Sequence, residues 1–196
     1  MARERTERRM ERIQYVLERR QKDLTLIINN IHDPHNVSAI LRSCDAFGVG
    51  HVHLYYTDTP FPVLGKKTSA SAKKWITMQR HTNGPDMVNA LSQKGFQIVR
   101  TGFSATATSL LDWDFTRPTA VVMGNEHDGV DDELMQLVDK ELYIPMSGMV
   151  QSLNVSVASA VILYEAYRQR QEAGFYDQPS YSAEEIETLQ SIWSQK

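Results

Sequence analysis

A chain of 196 residues with 41% hydrophobic and 23% charged residues has room for one domain with a sizeable core, and its net charge of −3 marks neither a strongly basic nor a strongly acidic protein. The single cysteine, Cys44, excludes an internal disulfide and a multi-cysteine zinc site. No apolar run is long enough to span a bilayer and the first twenty residues are charged throughout, which argues against a membrane protein and points to the cytoplasm.

The modest net charge hides an asymmetry. Residues 1–22 hold seven arginines and one lysine against four glutamates, a net +4. Residues 172–196 hold five acids against Lys196, a net −4. A polyanionic partner is therefore compatible with the composition, because the local field matters more than the total. Within the first segment Met10, Ile13 and Leu17 fall on one helical stripe, and Arg5, Arg9, Arg12 and Arg19 on another. Two readings fit this helix: a solvated surface laced with Glu–Arg pairs, or an arm laid against nucleic-acid phosphates.

Residues 24–31 (LTLIINNI) read as a β-strand. In the next stretch Pro34 disfavours helix at Asp33, Asn36 can cap, and Val37, Ile40, Leu41, Cys44 and Phe47 supply an apolar helical face closed by Gly48. A second strand at 51–56 completes a β–α–β unit, which implies parallel pairing. Residues 59–81 read as a loop-rich segment with clustered lysines at 66, 67, 73 and 74. A short helix at 86–95, a strand at 96–103, a short element at 109–115 and a buried strand from 118 follow. After a turn with glycines at 124 and 129 come an acid-started helix at 131–138 and a last strand at 141–146.

Beyond that strand lies a polar loop, then a helix opening at Asn154. Val155, Val157, Val161, Ile162, Leu163 and Tyr164 leave it no clearly polar face before Arg168. A helix apolar nearly all round is buried on both sides, by its own domain or by a second subunit. The chain reads as one α/β domain, residues 23–171, with a parallel sheet, a basic helical arm at 1–22 and a helical tail at 172–196.

Three polar clusters stand at the C-terminal ends of expected strands, where parallel α/β sheets place their ligands. The first runs from His32 to Asn36, with Arg42 farther along the helix among Leu41, Cys44 and Phe47. Such an arginine reaches an anionic partner or an interface, or forms a structural ion pair. The second is Gly124–Asn125–Glu126–His127–Asp128–Gly129, either a ligand loop or a turn with a capping acid. The third spans residues 147–154. His32, His35 and His127 match no familiar zinc spacing, so no metal is expected. Glycine-rich dinucleotide and Walker A loops are both absent from the sequence, and Ser152 lacks a nucleophile-elbow setting.

Taken together, N-V-S-A-I-L-R (36–42), V-M-G-N-E-H-D-G-V (122–130) and I-P-M-S-G-M-V-Q-S-L-N-V-S-V-A-S-A (144–160) resemble the three ordered motifs of the SpoU class of SPOUT methyltransferases. The basic helix and the R-Q-K-D-L-T-L opening resemble the branch that methylates the ribose 2′-hydroxyl of guanosine 18 in the tRNA D-loop. The resemblance implies a parallel-sheet SPOUT fold with a trefoil knot in about 120–170. It also implies S-adenosylmethionine as cofactor, tRNA as partner and a homodimer through the knotted region. By motif position Thr101, Gly124, Ile144 and Leu153 would hold the cofactor, and Asn36, Arg42, Glu126, Ser152 and Asn154 would be catalytic. RNA would meet Arg5, Arg9, Arg12, Arg19, Lys66, Lys67, Lys73 and Lys74. Another RNA nucleotide as target, and a non-catalytic RNA-binding protein on the same scaffold, are the alternatives.

Overall fold

The structure is a computed structural model that describes residues 6–63, 72–125 and 128–196. Helix α1 (Glu7–Leu17) leads into strand β1 (Leu24–Asn29), helix α2 (Pro34–Ala46) and strand β2 (His51–Tyr55). Next come α3 (Ala72–Trp75), β3 (Thr77–His81), α4 (Gly84–Gln93), β4 (Gln97–Thr101) and β5 (Thr108–Ser109). The chain then runs through β6 (Thr119–Met123), α5 (Asp132–Leu137), β7 (Glu141–Tyr143), α6 (Val155–Glu172) and α7 (Ala183–Ser194).

The strands form one seven-stranded sheet in the order β3-β2-β1-β6-β4-β7-β5, and each pair in it is parallel. Parallel strands buried on both faces read as continuous apolar runs, and every residue of β1 and β6 is buried. Alternate side chains serve the two faces. Leu26, Ile28, Val52, Leu54, Val121 and Met123 pack with Val37, Ile40 and Leu41 of α2 and Ile162, Leu163 and Ala166 of α6. Ile27, Tyr55, Ile98, Ala120 and Val122 meet Met87 and Leu91 of α4 and Leu134 of α5 on the other side. A third small core joins the two ends of the chain through Ile13 and Leu17 of α1 and Ile186 and Trp193 of α7.

Two local expectations change. Residues 77–81 are a strand, not loop: β3 is an exposed edge strand without apolar alternation, held by its pairing to β2. The cap of α2 is Asp33, whose carboxylate accepts from the His35 backbone N–H at 2.8 Å, and Asn36 sits inside the first turn. The reason lies in Pro34. A proline forces the residue before it into the extended conformation that an N-cap needs, and its missing N–H is no loss at the first helical position.

The strand β3 edge carries a cluster of imidazoles. His53 Nδ1 lies 2.9 Å from His81 Nε2, and the His51 and His53 ring centroids are 4.9 Å apart. Burial, with the neighbouring His51, His81 and Lys94, pushes His53 down to about 3, while burial first also lowers His51 and His81. A folded pKa below the unfolded one gives stability that is complete above about 6.5 and is lost as pH falls toward 3. Going from pH 7 to pH 5 should therefore cost about 2 kcal/mol in urea unfolding through His53. His53→Gln should flatten that pH dependence.

Candidate functional site

The parallel sheet brings the C-terminal ends of β4, β6 and β7 to one edge, and the start of α6 closes over them. Between them lies a cavity of about 420 Å³. Thr101, Gly102 and Phe103 line it after β4, Met123, Gly124, Asn125 and Gly129 after β6, and Leu142 to Ile144 and Met146 around β7. Ser152, Leu153, Asn154, Val155 and Ala158 complete it from the α6 side. All four residues expected to hold a cofactor, Thr101, Gly124, Ile144 and Leu153, are on this wall, and so are Ser152 and Asn154.

Asn154 performs two tasks with one amide. Its Oδ1 accepts from the Ser156 N–H at 2.9 Å and the Ser156 hydroxyl at 2.6 Å, capping α6. Its Nδ2 donates to Asn36 Oδ1 at 3.2 Å. Asn36, 118 residues distant in sequence, is thereby joined to the rim of the cavity. Arg42 does not line the cavity. It is exposed and stands six residues along α2 from Asn36, about 9 Å along the helix axis. Glu126 lies outside the described residues. Among the described neighbours, Asn125 N–H donates to Gly129 O at 2.8 Å and Asp128 N–H donates to Asn125 Oδ1 at 2.7 Å.

The loops of the cavity are fastened from below. Buried Glu141 accepts from Arg100 at 2.6 Å and from the Ser104 N–H at 2.7 Å, which holds the 102–104 segment against the start of β7. A Cβ at Gly102 would collide with the Glu141 carboxylate, so a larger residue there would have to displace a side chain that an ion pair and a hydrogen bond hold. The loop after β6 is tied to β1: Asn29 Nδ2 donates to Asp131 Oδ2 at 2.8 Å, and Asp131 N–H donates to Asn29 Oδ1 at 2.9 Å. Neither Glu141 nor Asn29 stood out in the sequence, because each acts through a partner distant in the chain. Gly102, Phe103 and Met146 could have been found by continuing the strand-end rule one to three residues past β4 and β7.

Of the expected RNA-contacting residues, Arg9, Arg12, Arg19, Lys73 and Lys74 are described. Arg9 Nη2 turns to the Trp193 carbonyl of α7 at 3.5 Å. Arg5, Lys66 and Lys67 lie outside the described residues. Among the described residues no group of three or more His, Cys, Asp or Glu side chains is placed to hold a metal ion, and no helix is long and apolar enough to cross a membrane.

A family model described as the SpoU rRNA Methylase family matches residues 23–164. A tRNA (guanosine(18)-2′-O)-methyltransferase of Thermus thermophilus is 45% identical, over 99% of this chain and 100% of that protein. The crystal structure of the Aquifex aeolicus TrmH/SpoU tRNA modifying enzyme superposes with a TM-score of 0.89 at 41% identity, covering 96% of this chain and 95% of that one. The SpoU methyltransferase AviRb from Streptomyces viridochromogenes, solved in complex with AdoMet, superposes with a TM-score of 0.67 at 26% identity, covering 79% of this chain and 62% of that one.

Gly124 offers a direct check on the geometry of this wall. A Cβ there would lie 2.2 Å from the Gly129 carbonyl carbon and 2.4 Å from the Val130 nitrogen, both backbone atoms. Gly124→Ala should cost about 1–3 kcal/mol in urea unfolding, as overpacking does. Gly148→Ala, where a Cβ meets nothing within 4 Å, should stay within about 0.5 kcal/mol of the parent.

Proposed function

This chain belongs to the SpoU methylase family, and from that premise we propose that it methylates the ribose 2′-hydroxyl of guanosine 18 in tRNA, with S-adenosylmethionine as methyl donor. The observation that carries the reading is the convergence of the second and third motifs on one cavity, with the first joined to it by the Asn36–Asn154 hydrogen bond. A cavity of about 420 Å³ suits a small molecule of this size class, and its wall mixes apolar side chains with amide, hydroxyl and peptide groups. Thr101, Gly124, Ile144 and Leu153 hold the donor in this account.

The bound sulfonium supplies an already activated methyl group, so the protein's contribution reduces to placement and proton handling. Placement of two reactants can be worth about 7–11 kcal/mol. Asn154, its amide oriented by the α6 cap, fixes Asn36, and the pair shapes the acceptor side of the site with Ser152 and Glu126. Arg42 orients and polarises the attacking hydroxyl. A guanidinium has no acceptor and does not give up its proton at neutral pH, so an RNA phosphate takes the hydroxyl proton.

The working form in this account is a cytoplasmic homodimer. Val157, Val161 and Tyr164 form one stripe of α6 and are 48%, 37% and 58% exposed in the single chain, while Val155, Ile162, Leu163 and Ala166 on the opposite side are buried. A second copy that covers the open stripe accounts for a helix apolar all round. The reading also takes residues 23–171 as the catalytic domain, knotted within about 120–170. The arm at 1–22 is the tRNA-contacting element in this reading, and it shares a small core with the helical tail at 172–196.

Methyl transfer from labelled S-adenosylmethionine to an unmodified tRNA transcript should occur, and a transcript with 2′-deoxyguanosine at position 18 should take no label. Equal labelling of both moves the target elsewhere. Arg42→Ala should abolish transfer while donor affinity, measured by calorimetry, stays within a few-fold. Retained turnover would remove Arg42 from the reaction.

A further inference from the structure

The outward side of α1 is unlike an ordinary solvated helix. At 100° per residue, Arg8, Arg12 and Tyr15 fall on a single stripe, opposite the Met10, Ile13 and Leu17 stripe that packs toward α7, and Arg19, two residues past the end of α1, returns its side chain to that stripe. Tyr15 is 49% exposed. The guanidinium carbon of Arg19 lies 3.8 Å from the Tyr15 ring centroid and that of Arg12 lies 5.2 Å from it. Arg19 Nη1 also donates to the Tyr15 carbonyl at 3.2 Å, which holds it beside the ring. The result is a half-exposed phenol flanked by two guanidiniums: flat, cationic and pre-ordered.

We propose that Tyr15 with Arg12 and Arg19 is a stacking platform for an unpaired nucleobase of the RNA substrate. The proposal rests on the reading of this protein as a tRNA methyltransferase. Arginine planes and aromatic rings are the two surfaces on which proteins stack splayed bases, and here they are joined. A phosphate alone would need only the charges. Arg19, stacked on the Tyr15 ring, is held flat, so that its outer guanidinium plane is a surface for a base and the ring is its support.

The platform acts at a distance from the reacting atoms. Residues just after α1 join the sheet at the N-terminal ends of its strands, where Gln21 N–H donates to Gly48 O at 2.9 Å. The cavity lies at the opposite ends, and the six residues of β1 separate the two edges by about 20 Å. The captured base is therefore not the methylated nucleotide of the same protomer's cavity. Loss of such a remote contact raises KM for tRNA and leaves kcat alone, since it removes binding common to ground and transition states.

The test compares Tyr15→Ala, Tyr15→Phe and Arg12→Gln in the full-length protein, with tRNA binding measured over a range of salt and kinetics measured for both substrates. Tyr15→Ala should weaken tRNA binding about 5- to 150-fold, the equivalent of about 1–3 kcal/mol. It should do so without changing the slope of log K against log salt, kcat, or KM for S-adenosylmethionine. Tyr15→Phe keeps the ring and should bind as the parent does. Arg12→Gln should lower the slope by about one through a lost phosphate charge. Unchanged affinity in Tyr15→Ala overturns the platform. So does a loss accompanied by a flattened slope, which would make Tyr15 a mere holder of cations, or an equal loss in Tyr15→Phe. If the parent binds tRNA with this pattern and transfers no methyl group, the catalytic reading fails while the platform stands.

Discussion

The site depends on two helices that lie side by side and begin at the same level. Asn36 near the start of α2 touches Asn154 at the start of α6, and Phe47 at the end of α2 meets the rings of Tyr164 and Tyr167. Both helices therefore run parallel over one face of the sheet, with their N-termini at the edge where parallel strands end. Each N-terminus offers free backbone N–H groups and the positive end of a dipole there. An all-parallel sheet concentrates ligand-holding loops on this edge, and the Asn36–Asn154 hydrogen bond locks the two halves of the chain in register across it.

Two buried guanidiniums hold the chain ends to that frame. Arg170, fully buried near the end of α6, donates to Phe115 O at 2.9 Å and Gln21 Oε1 at 3.0 Å and pairs with Asp23. Arg20 pairs with Asp45 of α2 and donates to Val49 O at 2.8 Å. A buried charge is tolerable only when paired and hydrogen-bonded, and removing one partner typically costs about 3–5 kcal/mol. These arginines serve packing, not chemistry. The linkage continues at the surface, where basic Lys22 meets acidic Glu185 at 2.6 Å, so the oppositely charged ends of the chain come together.

Much of this was legible in the sequence because the strongest signals are local. The apolar runs of β1 and β6, the Asn154 cap and the strand-end clusters all report their own environment. Gly124, Ser152 and Asn154 stood out as members of strand-end clusters, whereas Thr101, Ile144 and Leu153 were reached only through the motif resemblance, and the structure puts all six on one wall. What escaped depends on partners distant in the chain. Strand β3 has polar residues and owes its form to backbone pairing with β2. Glu141 holds Ser104, and Asn29 holds Asp131, through contacts that no sequence window contains. The cap of α2 was misplaced for a different reason. Pro34 keeps Asp33 out of the helix, as expected, but at the first helical position it also makes Asp33 the cap in place of Asn36.

Function in this account follows from that arrangement: an activated methyl group is held in the strand-end cavity and presented to a ribose hydroxyl near Asn36, Asn154 and Arg42. The most direct test is a crystal structure of the chain with S-adenosylmethionine bound. The account predicts the donor in the cavity among Gly124, Ile144 and Leu153, with its methyl group directed toward the Asn36–Asn154 pair. A donor bound elsewhere on the chain, or one whose methyl group points away from that pair, would contradict it.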